Sequence, residues 1–140
     1  MVTRATILYI EDDEASRHLV QRALTYAGFK ILIATRALDG IDLAKKHQPD
    51  LILTDINLPD LSGREIIVRL RSDARLATVP IVALTAQNHA LDRDKTFVAG
   101  ATGYITKPIE AESLVTSVER YLQGHREMLD AQTLQSAQQA

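Results

Sequence analysis

An acid at the end of an apolar run is the first group in this chain that could do chemistry. Asp55 lies in Leu51-Ile52-Leu53-Thr54-Asp55-Ile56-Asn57-Leu58-Pro59. A short apolar run that stops at turn signals reads as a buried parallel strand, and Pro59 forbids its continuation. In an open α/β sheet the carboxyl ends of the strands form the ligand crevice. Asp55 is therefore aimed at a functional rim. Three other runs deliver polar groups in the same way. Glu11, Asp12 and Asp13 follow Ala5–Ile10, Thr85 follows Ile81–Leu84, and Lys107 follows Gly103–Thr106.

Clustered carboxylates repel, so at least one resists ionisation unless a cation is present. A donor set of oxygens without His or Cys suits a hard ion. Mg²⁺, which keeps several waters and takes one or two carboxylates plus a phosphate oxygen, fits it. Lys107 is a second positive charge that could pair with Asp55 or with a phosphate on it, and Thr85 offers a hydroxyl to a phosphoryl oxygen. The set suits addition of a phosphoryl group to a carboxylate. Such a nucleophile needs no general base, because it is ionised near neutral pH. Taken singly, each group has a plainer reading. Acids after a strand are favoured by the helix macrodipole, Asp55 could be a turn residue, Thr85 a structural hydroxyl, and Lys107-Pro108 a loop. Their occurrence together, at successive strand ends, argues for one site.

The elements that must position these groups alternate regularly. Ala5–Ile10, Lys30–Ala34, Leu51–Thr54, Ile81–Leu84 and Gly103–Thr106 read as strands. Between them, Leu19, Val20, Ala23, Leu24 and Ala27 have helical spacing over Ala15–Ala27, with Gly28 as the stop. A second helix has Leu38, Ile41, Leu43 and Ala44 on its apolar face, and Thr35 is positioned to cap it. Ser62-Gly63-Arg64-Glu65 has the form of a capping box before Ile66, Ile67, Val68 and Leu70. A fourth helix is expected from about His89 to Ala99 and a fifth from Glu110 to Gln123. Strand and helix repeated five times with short links give an α/β fold, a parallel sheet with helices on both faces. Residues 1–123 form one domain. The polar, Gln- and Ala-rich stretch 124–140 either extends the last helix or is disordered.

The totals narrow the field. The 140 residues carry no cysteine, which removes disulfides, thiolate metal sites and cysteine nucleophiles. A net charge of −2 gives no nucleic-acid footprint. No apolar stretch approaches the roughly 20 residues of a membrane span, and Met1-Val2-Thr3-Arg4 lacks a signal-peptide core. The expectation is a cytoplasmic protein.

The motifs together resemble the receiver domain of two-component response regulators (CheY-like), over about residues 4–123. The resemblance is carried by Glu11-Asp12, by Asp55 within Asp-x-x-Leu-Pro-x-x-x-Gly (Asp55 to Gly63), by Thr85-Ala86, and by Tyr104-x-x-Lys107-Pro108. It implies a doubly wound, flavodoxin-like (βα)5 sheet of strand order 2-1-3-4-5. It also implies that Asp55 is the phosphoacceptor and that Glu11, Asp12 and Asp55 hold Mg²⁺ with the backbone carbonyl of Asn57. Thr85 and Lys107 would bind phosphoryl oxygens, and Tyr104 would be an aromatic switch that follows Thr85. The Lys107-Pro108 bond would be cis. Arg17, five residues after Asp12, sets the register and leaves Asp13 as a helix cap. Asn57 and Gln87 stand where the family tunes hydrolysis. The phosphodonor would be a histidine kinase or a histidine phosphotransfer protein. The output would be an unidentified protein partner on the face built from the fourth helix, fifth strand and fifth helix. Such a receiver catalyses its own phosphorylation and dephosphorylation without being a turnover enzyme. The expectation is a receiver without a DNA-binding domain, either stand-alone or excised from a larger protein such as a hybrid kinase; Thr102-Gly103 and Ile109 depart from the DNA-binding branch, and a monomer or weak dimer is expected.

Rival readings are weaker. A haloacid dehalogenase-type phosphatase needs a second Asp two positions after the nucleophile, where Asn57 stands. A flavodoxin-like cofactor binder needs phosphate donors in the first loop, where Glu11-Asp12-Asp13-Glu14 would repel an anion. A partner-binding pseudo-receiver would lack one of Asp55, Thr85 and Lys107, and all are present.

Overall fold

Five short strands, each ending at a polar residue or one residue before it, form a single parallel sheet in the order β2-β1-β3-β4-β5. The computed structural model describes residues 4–86 and 99–139. The strands are β1 (Thr6–Ile10), β2 (Lys30–Ala34), β3 (Leu51–Asp55), β4 (Ile81–Thr85) and β5 (Gly103–Thr106). The helices are α1 (Glu14–Tyr26), α2 (Ala37–His47), α3 (Gly63–Arg71) and α4 (Ala111–Gln139), with a 3₁₀ turn at Ala74–Leu76. The helix expected from about His89 to Ala99 lies outside the described residues except at Ala99, as does Gln87.

Strands covered on both faces are apolar throughout instead of alternating. β3 and β4 accordingly bury all five of their residues, whereas β2, at the sheet edge, exposes Lys30. Alternation still sorts side chains between two cores. Leu8, Ile10, Ile52 and Ile81 face Ile41, Ala44, Ile66, Ile67 and Leu70 of α2 and α3. Ile7, Tyr9, Leu51, Leu53, Val82 and Leu84 face Val20 and Leu24 of α1 and Leu114 and Val118 of α4.

The helix starts show local and distant solutions to the same need for capping of free backbone N–H groups. Asp13 caps α1 by accepting from the Ser16 amide at 2.9 Å, and Ser62 caps α3 by accepting from the Glu65 amide at 3.2 Å. Thr35 does not cap α2. The N-cap residue is Arg36, which makes no side-chain cap bond. Asp60, from the loop after β3, instead accepts from the Ala37 and Leu38 amides, each at 3.0 Å. These bonds hold its carboxyl below the ordinary aspartate value, against the opposing effect of burial. The α2 core face is Ala37, Gly40, Ile41 and Ala44. Leu38 and Val68, both expected on core faces, are exposed.

At the far end of the sheet the Arg71 guanidinium closes the chain ends around β4 and β5. It donates to the carbonyls of Gly100 (2.9 Å) and Leu76 (2.8 Å), to that of Val79, and to Thr102 Oγ1. α4 runs on to Gln139. Its buried anchors, Leu114 and Val118, lie in its first part, and residues 126–138 are exposed.

Removing the distant cap tests this account. Asp60→Ala is expected to lower unfolding stability by about 1 kcal/mol, and Asp60→Asn, an equally good cap, to keep most of it. Urea denaturation of the three proteins measures both.

Candidate functional site

Sheet register brings the polar strand ends together. Ile10 pairs with Thr54 across β1 and β3, so the next residues, Glu11 and Asp55, meet just beyond the ladder. By strand alternation Glu11, Asp55 and Lys107 all fall on the α1/α4 side of the sheet. Thr85 and Tyr104 fall on the α2/α3 side, since Tyr104 pairs with Ala83 and Thr85 with Thr106.

The side chains follow that placement. Lys107 Nζ lies 2.9 Å from Glu11 Oε1 and 3.2 Å from Asp55 Oδ2. The Asn57 amide donates to Asp55 Oδ1 at 3.0 Å. Oxygens of Glu11, Asp12 and Asp55 lie within 4.8 Å of one another. Glu11 is fully buried, Asp55 is 6% exposed, and Asp12 is open to solvent. The Arg17 guanidinium donates to the Asp12 carbonyl at 2.7 Å and to the Glu11 carbonyl at 3.2 Å, which fixes the backbone of the acidic pair. Asp13 points away into its capping bond. The loop after Asp55 is closed by an antiparallel bridge between Asn57 and Ser62. Gly63 follows because a Cβ there would sit 2.6 Å from the Ile56 Cβ. The Lys107-Pro108 bond is cis.

Two buried polar atoms have no partner among the described residues, Glu11 Oε2 and Thr85 Oγ1. Unpartnered buried acceptors are unfavourable and mark where an ion, water or phosphoryl oxygen would be accommodated. With three carboxylates contributing only oxygen, the donor set fits a hard divalent ion such as Mg²⁺.

The charges in the site are interdependent. Burial pushes the Glu11 carboxyl up to about 7, reinforced by the neighbouring Asp55 carboxylate and opposed by Lys107. Burial also works against ionisation of Asp55. The neighbouring Glu11 carboxyl, together with hydrogen bonds from the Asn57 amide and Lys107, outweighs it and holds Asp55 below its ordinary value. Burial disfavours the Lys107 ammonium, but the two acids raise its pKa overall. Of the two acids, Glu11 is the one whose surroundings favour the protonated form, and Asp55 the one whose surroundings favour the carboxylate.

Tyr9 and Asp60 were not singled out from sequence. The Tyr9 hydroxyl donates to Glu11 Oε1 at 3.2 Å, and the available signal was one phenol in an otherwise aliphatic strand. Asp60 gave no signal, since its partners lie more than twenty residues away. Beside Lys107 a shallow groove is lined by Ala15, Ser16, Leu19, Pro108 and Ile109.

The raised Glu11 value has a signed consequence. In the unfolded chain Glu11 ionises near its ordinary value of 4.5, so between there and about 7 the folded protein binds the extra proton. Its contribution to stability is complete below that window and is lost as pH rises through 7. Asp55 acts oppositely, and its contribution is lost only in acid. In EDTA, unfolding stability is expected to fall between pH 5 and pH 8, and Glu11→Gln to flatten that slope. Urea titrations across pH measure it.

Comparison with known proteins identifies the family. Residues 7–119 match the family described as response regulator receiver domain. The polar-differentiation response regulator DivK of Brucella anthropi is 32% identical over 117 residues, spanning 84% of this chain and 95% of DivK. The chemotaxis response regulator CheY4 of Vibrio cholerae superposes with a TM-score of 0.81 at 28% identity, covering 85% of this chain and 99% of CheY4. The receiver domain of sensor histidine kinase PA1611 from Pseudomonas aeruginosa, with a magnesium ion coordinated in its active-site cleft, superposes with a TM-score of 0.79 at 27% identity, covering 84% of this chain and 97% of that one. An acidic strand-end cluster beside a lysine, on a sheet of this order and with these relatives, places the chain in the response regulator receiver domain family of two-component signalling.

Proposed function

We propose that the protein is a phosphoacceptor switch in which Asp55 takes a phosphoryl group from the phosphohistidine of a histidine kinase or a phosphotransfer protein. The observation that carries this reading is the Asp55 carboxylate, nearly buried and held ionised, with the Lys107 ammonium 3.2 Å away. An Asp55 oxygen forms the new O–P bond as the donor's P–N bond breaks. The electron pair stays on the imidazole nitrogen, which takes up a proton. Glu11, Asp12, Asp55 and the Asn57 carbonyl would hold Mg²⁺. When bound, the ion supplies positive charge for the transferred oxygens. Lys107 neutralises the same charge from the other side, and the Thr85 hydroxyl, without a partner among the described residues, donates to a phosphoryl oxygen. The groove beginning at Pro108-Ile109 and Leu19 opens next to Lys107 and suits the approach of the donor.

The product carries roughly one more negative charge than the bare carboxylate. Thr85 moves toward it, and Tyr104, now at the surface, turns into the space released. The face around β5 and the start of α4 then changes its affinity for a downstream protein. The output is protein binding rather than direct contact with nucleic acid or membrane. The protein acts in the cytoplasm as a monomer or weak dimer. Residues 1–123 are the switching unit, and the later part of α4 is an extension of it.

Incubation with acetyl phosphate and Mg²⁺ is expected to add one phosphoryl mass to the wild-type protein and none to Asp55→Asn, as read by intact-protein mass spectrometry. A modified Asp55→Asn protein would refute the assignment. For the switch, Tyr104→Ala is expected to remove most of a coupling of about 1–3 kcal/mol between phosphorylation and partner binding. Equal affinity ratios in wild type and variant would exclude the aromatic relay.

A further inference from the structure

The buried phenol of Tyr9 has no part in the reading above. It is the bulkiest of the fully buried side chains among the described residues. On β1 it is flanked by Ile33 of β2 and Leu53 of β3, surroundings that an aliphatic side chain or a phenylalanine would satisfy. A hydroxyl there must find a partner or lose hydration without compensation. Its partner is Glu11 Oε1, at 3.2 Å. Lys107 donates to the same oxygen at 2.9 Å. One oxygen of the carboxylate therefore has two donors, while Oε2, equally buried, has none among the described residues.

We propose that Tyr9 is a positioning residue for the divalent-cation site. Its hydroxyl, together with Lys107, fixes the Glu11 carboxylate so that Oε2 is the oxygen presented to the ion or to a water on it. This rests on the Mg²⁺ site proposed above. Partners of this kind orient ligands, and their loss typically lowers metal affinity by about 10–100-fold. Lys107 cannot hold Glu11 alone, because it is shared with Asp55 at 3.2 Å and is drawn to the new oxygens once Asp55 is phosphorylated. Tyr9 then remains as the donor on Oε1.

Tyr9→Phe removes the hydroxyl and keeps the ring. Calorimetric titration of the full chain with Mg²⁺ is expected to show binding about tenfold weaker than wild type, while circular dichroism and the melting temperature in EDTA stay close to wild type. Phosphorylation by acetyl phosphate is expected to slow at low Mg²⁺ and recover at saturating Mg²⁺. In a Glu11→Gln background the same substitution is expected to add no further loss. Unchanged Mg²⁺ affinity in Tyr9→Phe would overturn the inference, as would an equal loss in the Glu11→Gln background, which would trace the effect to the core. Wild-type protein that took up no Mg²⁺ would remove the site reading and this inference together.

Discussion

Buried negative charge exceeds buried positive charge at the carboxyl edge of the sheet, and that imbalance is the constraint around which the rest of the molecule is arranged. Glu11 and Asp55 share one ammonium in a space nearly closed to solvent. Removing two carboxylates from water is unfavourable by several kcal/mol per ion, and a single lysine does not compensate for both. Without a metal, the excess favours the protonated form of Glu11. On the reading proposed above, a second cation would relieve it in another way, and a phosphoryl group on Asp55 would change it again. Three occupancies would then differ in charge over the same few ångströms, and the site would respond to each.

Everything needed to maintain that arrangement is structural. Parallel pairing of β1 with β3 sets Glu11 beside Asp55. Lys107 spans the end of β4 because a lysine side chain is long enough to cross one strand. Arg17 holds the backbone of the acidic pair from α1. The loop carrying Asn57 is secured three times, by the Asn57 bond to Asp55, by its bridge to Ser62 and by the Asp60 cap on α2. The fold places its rigidity at this rim, where a displacement of about 1 Å would break the contacts.

Most of the sheet was legible because central strands of a parallel sheet are continuous apolar runs. β2 and β5 match their expected bounds, and β1, β3 and β4 differ by one residue. The chemistry was legible for a related reason, since each reactive group ends such a run. Features that depend on distant neighbours were not. Thr35 looked like the cap of α2 because it is adjacent, and Asp60 performs that task from another loop. Leu38 and Val68 fit a helical apolar stripe, yet their positions face solvent, because periodicity locates a face only approximately. Tyr9 sits inside an apolar strand, and its bond to Glu11 depends on the fold that brings the carboxylate beside it. The stretch 124–139 was undecided because Ala, Gln, Leu and Glu suit both a helix and a disordered tail, and it is helical here.

The two-sided order of β-strands has one more effect. Asp55 and its counter-charges lie on one side of the sheet, and the Thr85 hydroxyl and the Tyr104 ring lie on the other. The sheet is then a partition between the two packing layers of the same small molecule.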